Sequence, residues 1–247
     1  MAEPLLSAQA VTVRFGGLTA VDAVDVRFGA RELVGIIGPN GAGKTTFFNA
    51  LSGVIAPTSG RLVAAGHDLT GQLPHRYAEH GIARTFQTPR VFAEMRVADN
   101  VQFALEFAGR HRQAPAGLAT AHDILALLGL DKLAALPAAA VTPSQQRLLE
   151  IGMALGTRPR VLLLDEVAAG LIEQEVEAMA RLIRRLRDEL GLTVVWIEHA
   201  VTTLLRHVER VLVLHQGRKI ADGTPAEVVR NQEVIDAYLG DELEAHA

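Results

Sequence analysis

The chain has 247 residues, 49% of them hydrophobic and 21% charged, which is typical of one large folded domain or of a core with an inserted subdomain. Its formal net charge of -4 gives no electrostatic reason to expect nucleic acid as a partner. The absence of cysteine excludes disulfides and thiolate metal sites. We expect neither a secretion signal nor a membrane span, because no long apolar run is present.

The N-terminal part of the chain predicts strands and one helix. Alternating apolar residues indicate strands, and a short apolar run before a Gly-rich segment indicates a buried strand followed by a loop and a helix. The predicted elements in order are two strands within residues 8–28 joined by a turn at Gly16-Gly17, a strand at Leu33–Ile37, a helix over about residues 43–51, and a strand over residues 61–65 after a turn at Pro57, Ser59 and Gly60.

The rest of the chain predicts a helical insertion and then alternating strands and helices. Residues from about 89 to 156 are Ala/Leu-rich and helical in pattern, with loops at residues 109–117 and 136–143. The later elements are buried strands over residues 160–166 and 192–199, an amphipathic helix over residues 173–190, and a hairpin over residues 210–223 that turns at Gln216-Gly217. Because buried strands alternate with helices, we expect a mostly parallel sheet in an α/β core.

A phosphate-binding loop follows the strand at Leu33–Ile37. GPNGAGKT, from Gly38 to Thr45, matches G-x-x-x-x-G-K-[ST] between a strand and a helix, which is the context that the motif requires. Glycines let backbone N–H groups approach phosphate oxygens, Lys44 supplies a charge for the β- and γ-phosphates, and the Thr45 hydroxyl can bind Mg²⁺. The predicted ATP-binding residues of this loop are Gly38, Asn40, Gly41, Gly43, Lys44, Thr45 and Thr46.

Two acidic residues and a histidine end the later buried strands. Asp165 and Glu166 follow one strand, and His199 ends the next, which should lie beside it. Ligands of open α/β sheets bind at the carboxyl ends of strands. Asp165 therefore suits Mg²⁺, Glu166 suits a water facing the γ-phosphate, and His199 can reach the γ-phosphate. Taken alone, the two carboxylates could equally cap a helix, and the histidine would more often be an ordinary surface residue.

Several stretches together resemble the ATP-binding subunits of ABC transporters, and within that family the ATPases of branched-chain amino-acid importers. These stretches are RFGGLTAVDAVDV (14–26), GPNGAGKTTFFNALSG (38–53), GIARTFQTPRVFAEMRVADNV (81–101), QQRLLEIGMAL (145–155), LLLDEVAAGL (162–171), VVWIEHAV (194–201) and GRKIADGTPAEVVRNQEVIDAYLG (217–240). The resemblance covers essentially the whole chain. It implies an ATPase that uses ATP and Mg²⁺.

The resemblance also implies the fold and the roles of further residues. It implies an α/β P-loop NTPase core with an N-terminal antiparallel β subdomain and an inserted α-helical subdomain, all within one domain. Residues 1–87 and 157–247 would form the nucleotide-binding core, and residues 88–156 the helical signature subdomain. Phe15 would stack on adenine, although it could also be a core residue at a strand end. Gln87 would reach Mg²⁺ and the attacking water, although it could also make only local hydrogen bonds.

The stretch that corresponds to the family's signature motif departs from it. The motif L-S-G-G-Q appears here as Val141 followed by Thr142, Pro143, Ser144 and Gln145. Thr, Pro and then Gln three residues after the Thr predict a well-capped helix start. Pro143 has no N–H to donate and Ser144 adds a Cβ, so we expect a weakened grip on a nucleotide held by a partner ATPase.

Two further departures lie in the loop after Glu166. Val167 replaces the usual Pro, and Ile172 replaces the usual polar residue of A-A-G-L-[ND]. In the family this loop faces the opposite site of the dimer. The residues that serve this chain's own ATP are therefore retained, whereas those that serve the partner's ATP are altered.

Three functions remain open: the energising ATPase of an importer, which we favour, an ABC-type ATPase unconnected with transport, and a nucleotide-binding regulatory subunit. The favoured function implies a second ATPase in a heterodimer, two permease subunits and, indirectly, a solute-binding protein. It also places the chain at the cytoplasmic face of the membrane. Branched-chain amino acids are the expected solutes, with urea or short amides as alternatives, since the ATPase itself never contacts the solute.

Overall fold

A computed structural model describes residues 3–107, 118–198 and 201–244. The strands of these residues are β1 (Leu6–Phe15), β2 (Leu18–Phe28), β3 (Leu33–Ile37), β4 (Ser59–Ala64), β5 (His67–Asp68), β6 (Ile82–Arg84), β7 (Val161–Asp165), β8 (Thr193–Ile197), β9 (Arg210–His215) and β10 (Arg218–Gly223). Their helices are α1 (Lys44–Leu51), α2 (Pro74–Glu79), α3 (Val97–Phe107), α4 (Ala121–Leu128), α5 (Pro143–Gly156), α6 (Glu173–Asp188), α7 (Val201–His207), α8 (Pro225–Val228) and α9 (Gln232–Glu244). Among these helices, none is long and apolar enough to span a bilayer.

The strands form two sheets. An antiparallel sheet has the order β2-β1-β4-β5, and a second sheet has the order β10-β9-β3-β8-β7-β6. All neighbours in the second sheet are parallel except β9 and β10, which form a hairpin. The expectation of an α/β core with a mostly parallel sheet and an N-terminal antiparallel sheet is therefore confirmed.

The central strands are apolar because both faces of the second sheet are covered. Every residue of β3, β7 and β8 is buried. One face packs with α1 and the antiparallel sheet in a core that includes Phe47 and Phe48. The other face joins the apolar residues of α3 to α6 in a second core that includes Trp196. This burial on both faces accounts for the unbroken apolar runs of the sequence.

The sheet order brings three strand ends to the same edge. β3 pairs with β8 and β8 pairs with β7, all in parallel, with Asp165 opposite Ile197. The phosphate loop follows β3, and Asp165 ends β7. The carboxyl ends of adjacent parallel strands thus place these two segments on either side of the end of β8.

Most predicted elements agree with the structure within a few residues, and the structure differs from the prediction at three places. The turn predicted at Ser59 and Gly60 is wrong, because both residues belong to β4. A Cβ at Gly60 would lie 2.3 Å from the carbonyl oxygen of Ala10, so this glycine allows a close approach of two strands. β6 was not predicted, and residues 89–96 precede α3 without forming a helix. The loop predicted at residues 109–117 lies outside the described residues.

Candidate functional site

The phosphate loop joins β3 to α1 in a conformation that requires glycine. Gly43 caps α1 with φ 94°. A Cβ there would lie 2.2 Å from the carbonyl oxygen of Ala20, so both the dihedral angle and the space exclude a side chain. The Nζ of Lys44 donates to the carbonyl oxygens of Gly38 at 2.6 Å and Pro39 at 2.9 Å. The first turn of α1 follows directly, and the first N–H groups of a helix form a ready anion site.

A cleft of about 620 Å³ opens in front of this loop. Phe15 stands at one side, and 50% of its surface is exposed. Gln87 and Glu166 line the cleft as well. The predicted residues that line it are Phe15, Asn40, Gly41, Gly43, Lys44, Thr45, Thr46, Gln87 and Glu166. Residues predicted for adenine, phosphate and hydrolysis thus surround one space.

Asp165 and Glu166 differ in environment although they are adjacent. Asp165 is buried, and its Oδ2 accepts a hydrogen bond of 3.0 Å from Arg84. Glu166 has φ 52°, a conformation uncommon outside glycine and costly unless the surroundings impose it. Its N–H donates to the carbonyl oxygen of Ile197, which ties the loop to β8. Its carboxylate points to the cleft, where Oε2 accepts from the Nε2 of Gln87 at 2.8 Å.

His199 itself lies outside the described residues. The strand before it, β8, does lie beside β7 as expected. The preceding Glu198 is buried, and its Oε1 accepts from the backbone N–H of Ala168 at 2.7 Å and from the Nε1 of Trp196 at 3.0 Å. Glu198 therefore fastens the loop after Glu166 to the end of β8.

The start of α5 is capped in both directions. The N–H of Thr142 donates to the Oε1 of Gln145 at 2.9 Å, and the N–H of Gln145 donates to the Thr142 hydroxyl at 3.3 Å. Pro143 occupies the first helical position, where its missing N–H removes no intrahelical bond. The helix start predicted from the sequence is therefore present.

Comparison with known proteins identifies the family. Residues 21–169 match the family described as ABC transporter, and residues 218–244 match one described as branched-chain amino acid ATP-binding cassette transporter. The chain is 38% identical to the high-affinity branched-chain amino acid transport ATP-binding protein BraF of Pseudomonas aeruginosa, over 98% of this chain and all of that protein. The chain belongs to the ABC transporter ATPases.

Further relatives and solved structures agree. The Escherichia coli K12 high-affinity branched-chain amino acid transport ATP-binding protein LivG is 37% identical to this ABC ATPase, over 98% of this chain and all of LivG. The ADP conformation of the ATP-binding cassette MJ1267 superposes with a TM-score of 0.85 at 28% identity, covering 97% of this chain and all of that one. A nucleotide-free cassette superposes with a TM-score of 0.83 at 27% identity, covering 95% and 98%.

In this ABC ATPase, each of the two side chains that remain of the signature motif accepts a hydrogen bond from the backbone N–H of the other residue. The Thr142 hydroxyl and the Gln145 amide together form the cap of α5. Val167 is buried and packs in the core, whereas Ile172 is 64% exposed at the N-cap of α6. An isoleucine side chain has no acceptor for the first N–H groups of that helix. At this helix start, the Glu175 carboxylate accepts from the Ile172 N–H at 3.1 Å.

Sequence reasoning missed two residues that support the site. Arg84 bonds to Asp165 and also donates to Asn49 and Ser52 at 2.8 and 2.9 Å. Glu150 of α5 is buried, and burial raises the pKa of its carboxyl to about 7. A charged residue on the apolar face of α5 was the available signal for Glu150. No local pattern marked Arg84, because its partners are distant in the chain.

Proposed function

We propose that this chain is the ATP-hydrolysing subunit of an importer for branched-chain amino acids. The observation that carries the proposal is the Gln87–Glu166 hydrogen bond beside the phosphate loop, since it places a carboxylate and an amide together where an attacking water must be held. The names of BraF and LivG and the match of residues 218–244 support the choice of solute.

The proposed mechanism assigns one task to each group of the cleft. Lys44 and the N–H groups around Gly43 neutralise the β- and γ-phosphates, and Phe15 stacks on adenine through its exposed ring. Glu166 polarises the water that attacks the γ-phosphate, and the task of contacting that phosphate is assigned to His199 from the sequence. Phosphoryl transfer depends mainly on positioning and charge stabilisation, so these contacts supply most of what the reaction needs.

The donor groups fit Mg²⁺ when it is bound with ATP. The Thr45 hydroxyl, the Asp165 carboxylate and the side-chain carbonyl of Gln87 are hard oxygen ligands. Gln87 uses its nitrogen for Glu166, which leaves its oxygen to face a metal ion. Within the described part of the chain, no three His, Cys, Asp or Glu side chains form a group that could hold a metal ion by themselves. Bound there, Mg²⁺ would neutralise charge on the β- and γ-phosphates.

The proposal divides the chain into a nucleotide-binding core, residues 1–87 and 157–247, and a helical subdomain, residues 88–156. A groove of about 350 Å³ lies where the two meet, between β6 and the α3 and α5 helices. Phe92, Phe103 and Phe107 form an exposed aromatic row beside it, with ring centroids 5.1 and 4.5 Å apart. An apolar segment of a permease subunit would cover these rings and hold the chain at the cytoplasmic face of the membrane. A solute-binding protein would deliver the amino acid to the permease pair.

The partner ATPase is proposed to be a different chain with an intact signature loop. In a homodimer, both ATP molecules would meet Pro143 and Ser144, which offer fewer N–H groups and less room than two glycines. In a heterodimer, this chain's own ATP would meet a complete signature loop, and only the partner's ATP would meet the altered one. The heterodimer would then have one site that hydrolyses ATP fast and one that hydrolyses it slowly.

Uptake in cells tests the proposed transport function. The chromosomal gene is replaced by one that encodes the Glu166→Gln variant. Uptake of labelled leucine, isoleucine and valine is then measured, together with uptake of labelled urea and short amides. We expect Glu166→Gln to abolish uptake of the amino acids while purified protein still binds ATP. Glu173→Gln, which removes an exposed carboxylate at the start of α6, serves as the matched control. Unchanged amino-acid uptake, or loss of urea or amide uptake alone, would contradict the proposed solute.

A further inference from the structure

Glu150 holds a loop of the core from within the helical subdomain. It lies two turns into α5 and is 5% exposed. Both carboxylate oxygens accept backbone hydrogen bonds: Oε2 from the N–H of Phe86 at 3.3 Å, and Oε1 from the N–H of Arg90 at 2.9 Å. One side chain of α5 thus bonds to two points of the same loop, 64 and 60 positions away in the chain.

The two N–H groups stand on either side of Gln87. Residues 85–95 form neither helix nor strand. Backbone hydrogen bonds tie this stretch to other segments at Thr85, which donates to Leu163, and at Ala93 and Met95, which accept from Ala139 and Ala138. The guanidinium groups of Arg84 and Arg90 pack against the Phe86 ring, at 4.4 and 4.1 Å from its centroid. Beyond this anchor, the Gln87 side chain reaches Glu166. The carboxylate of Glu150 therefore holds the backbone on both sides of Gln87.

A carboxylate is the only common side chain of this size that can accept from both N–H groups. A glutamine offers one oxygen, and its NH₂ would face the second N–H as donor against donor. Burial works against the charge, since it raises the pKa of Glu150 to about 7. A carboxylate is buried here although a neutral residue would be easier to bury, and buried carboxylates with shifted pKa values are concentrated at functional sites.

We propose that Glu150 is a positioning residue for ATP hydrolysis, which acts through Gln87 by tying its loop to α5. The inference rests on the proposed role of Gln87 in hydrolysis. The N-terminus of α5 carries Thr142–Gln145, so this helix contacts the loop of the chain's own site at Glu150 and presents the signature stretch at its start. A shift of α5 relative to the core then moves Gln87 relative to Glu166. Glu150 makes the helical subdomain part of the hydrolysis machinery of its own ATP.

Single-turnover hydrolysis by the full chain tests this role. The chain is held in excess over labelled Mg-ATP, and the maximal rate and half-saturation are measured for wild type, Glu150→Gln, Glu150→Asp, Gln87→Ala and the double variant Glu150→Gln with Gln87→Ala. We expect both Glu150 variants to lower the maximal rate about 10- to 100-fold, because misplacement by about 1 Å costs about that much. Half-saturation should stay unchanged, since Glu150 does not line the phosphate-loop cleft. Glu227→Gln, which removes an exposed carboxylate that accepts from the Thr224 N–H, should match wild type.

The double variant separates positioning from general support of the fold. If Glu150 acts through Gln87, then Glu150→Gln has no further effect on a chain that already carries Gln87→Ala. If the double variant lost rate by the product of the two single losses, the inference would be overturned. The same holds if Glu150→Gln hydrolysed ATP at the wild-type rate while Gln87→Ala was impaired. A wild-type rate for Gln87→Ala would instead refute the proposed role of Gln87. Amide hydrogen exchange gives a second measurement: peptides that span residues 84–92 should lose protection in both Glu150 variants, and retained protection would overturn the inference.

Discussion

Glu150 should make the stability of the folded chain depend on pH in a direction that is unusual for an acidic residue. Burial raises the pKa of this carboxyl from 4.5 to about 7, and the two backbone N–H groups and the charges of Arg84 and Arg90 offset burial only in part. The folded chain therefore binds this proton more tightly than the unfolded chain does. The stability that results is complete below about pH 4.5 and is lost as the pH rises through about 7.

The magnitude follows from the same two values. The difference between 4.5 and about 7 corresponds to about 3 kcal/mol of unfolding free energy, on the relation that links pKa values to stability. Glu150→Gln does not titrate, so its stability lacks this dependence on pH. We expect the unfolding free energy of the variant, relative to wild type, to rise by on the order of 3 kcal/mol between about pH 4 and pH 8. The NH₂ of the glutamine still opposes one of the two N–H groups, which lowers the stability of the variant at every pH.

Urea unfolding followed by tryptophan fluorescence measures this difference. The single tryptophan, Trp196, is fully buried in the core beside the site, so it reports global unfolding. Glu227→Gln is a control in which stability should change with pH in the opposite direction. The Thr224 backbone N–H and hydroxyl hold the pKa of Glu227 below its usual value. Stability from Glu227 is lost as the pH falls, so its variant should approach wild type at low pH. A difference between wild type and Glu150→Gln that does not change with pH would refute the reasoning.

Three further predictions concern single positions. Gly43→Ala should abolish ATP binding measured by calorimetry, because its Cβ would lie 2.2 Å from a carbonyl oxygen. Gly41→Ala should weaken binding less, because its Cβ meets no atom within 4 Å. Equal losses of affinity in the two variants would contradict the steric explanation. Ile172→Asn should raise the unfolding free energy by about 1 kcal/mol relative to Ile172→Ala, because asparagine supplies an N-cap acceptor to α6. If the two variants had the same unfolding free energy in urea, the proposed cap would be contradicted. The double variant Pro143→Gly with Ser144→Gly should raise the ATP hydrolysis rate of the purified chain by up to about 100-fold, although the two glycines weaken the start of α5. If the wild-type chain alone already hydrolysed ATP at a rate typical of the family and the variant were no faster, the asymmetric dimer would be excluded.

The phosphate loop and the start of α5 could be predicted from the sequence because each is a continuous segment. Gly43 and Lys44 act where one short loop joins β3 to α1, so their spacing in the chain fixes their spacing in the structure. The same holds for the cap of α5, in which Thr142 and Gln145 are three positions apart. Strand ends were predictable for a related reason, since a buried strand is an apolar run and its last residue must lie at the edge of the sheet.

The contacts that join these segments were decided by the tertiary structure. Gln87 and Glu166 are 79 positions apart, and Arg84 and Asp165 are 81 apart. Both pairs meet because β6 lies beside β7, yet β6 has only three residues and no recognisable strand pattern. Such a strand forms because its neighbour offers unpaired backbone groups, which no property of its own residues reveals.

Glu150 shows the same division within one residue. The sequence predicts the start of the helix that carries it, but it does not reveal that Phe86 and Arg90 donate to its carboxylate. Periodicity and capping depend on neighbours within a few positions, so the sequence alone determined the strongly patterned elements and the phosphate loop. The links between the loop of Gln87, the carboxylates after β7 and the helix α5 depend on how distant segments pack, because only packing removes these charged groups from water and brings their partners within reach.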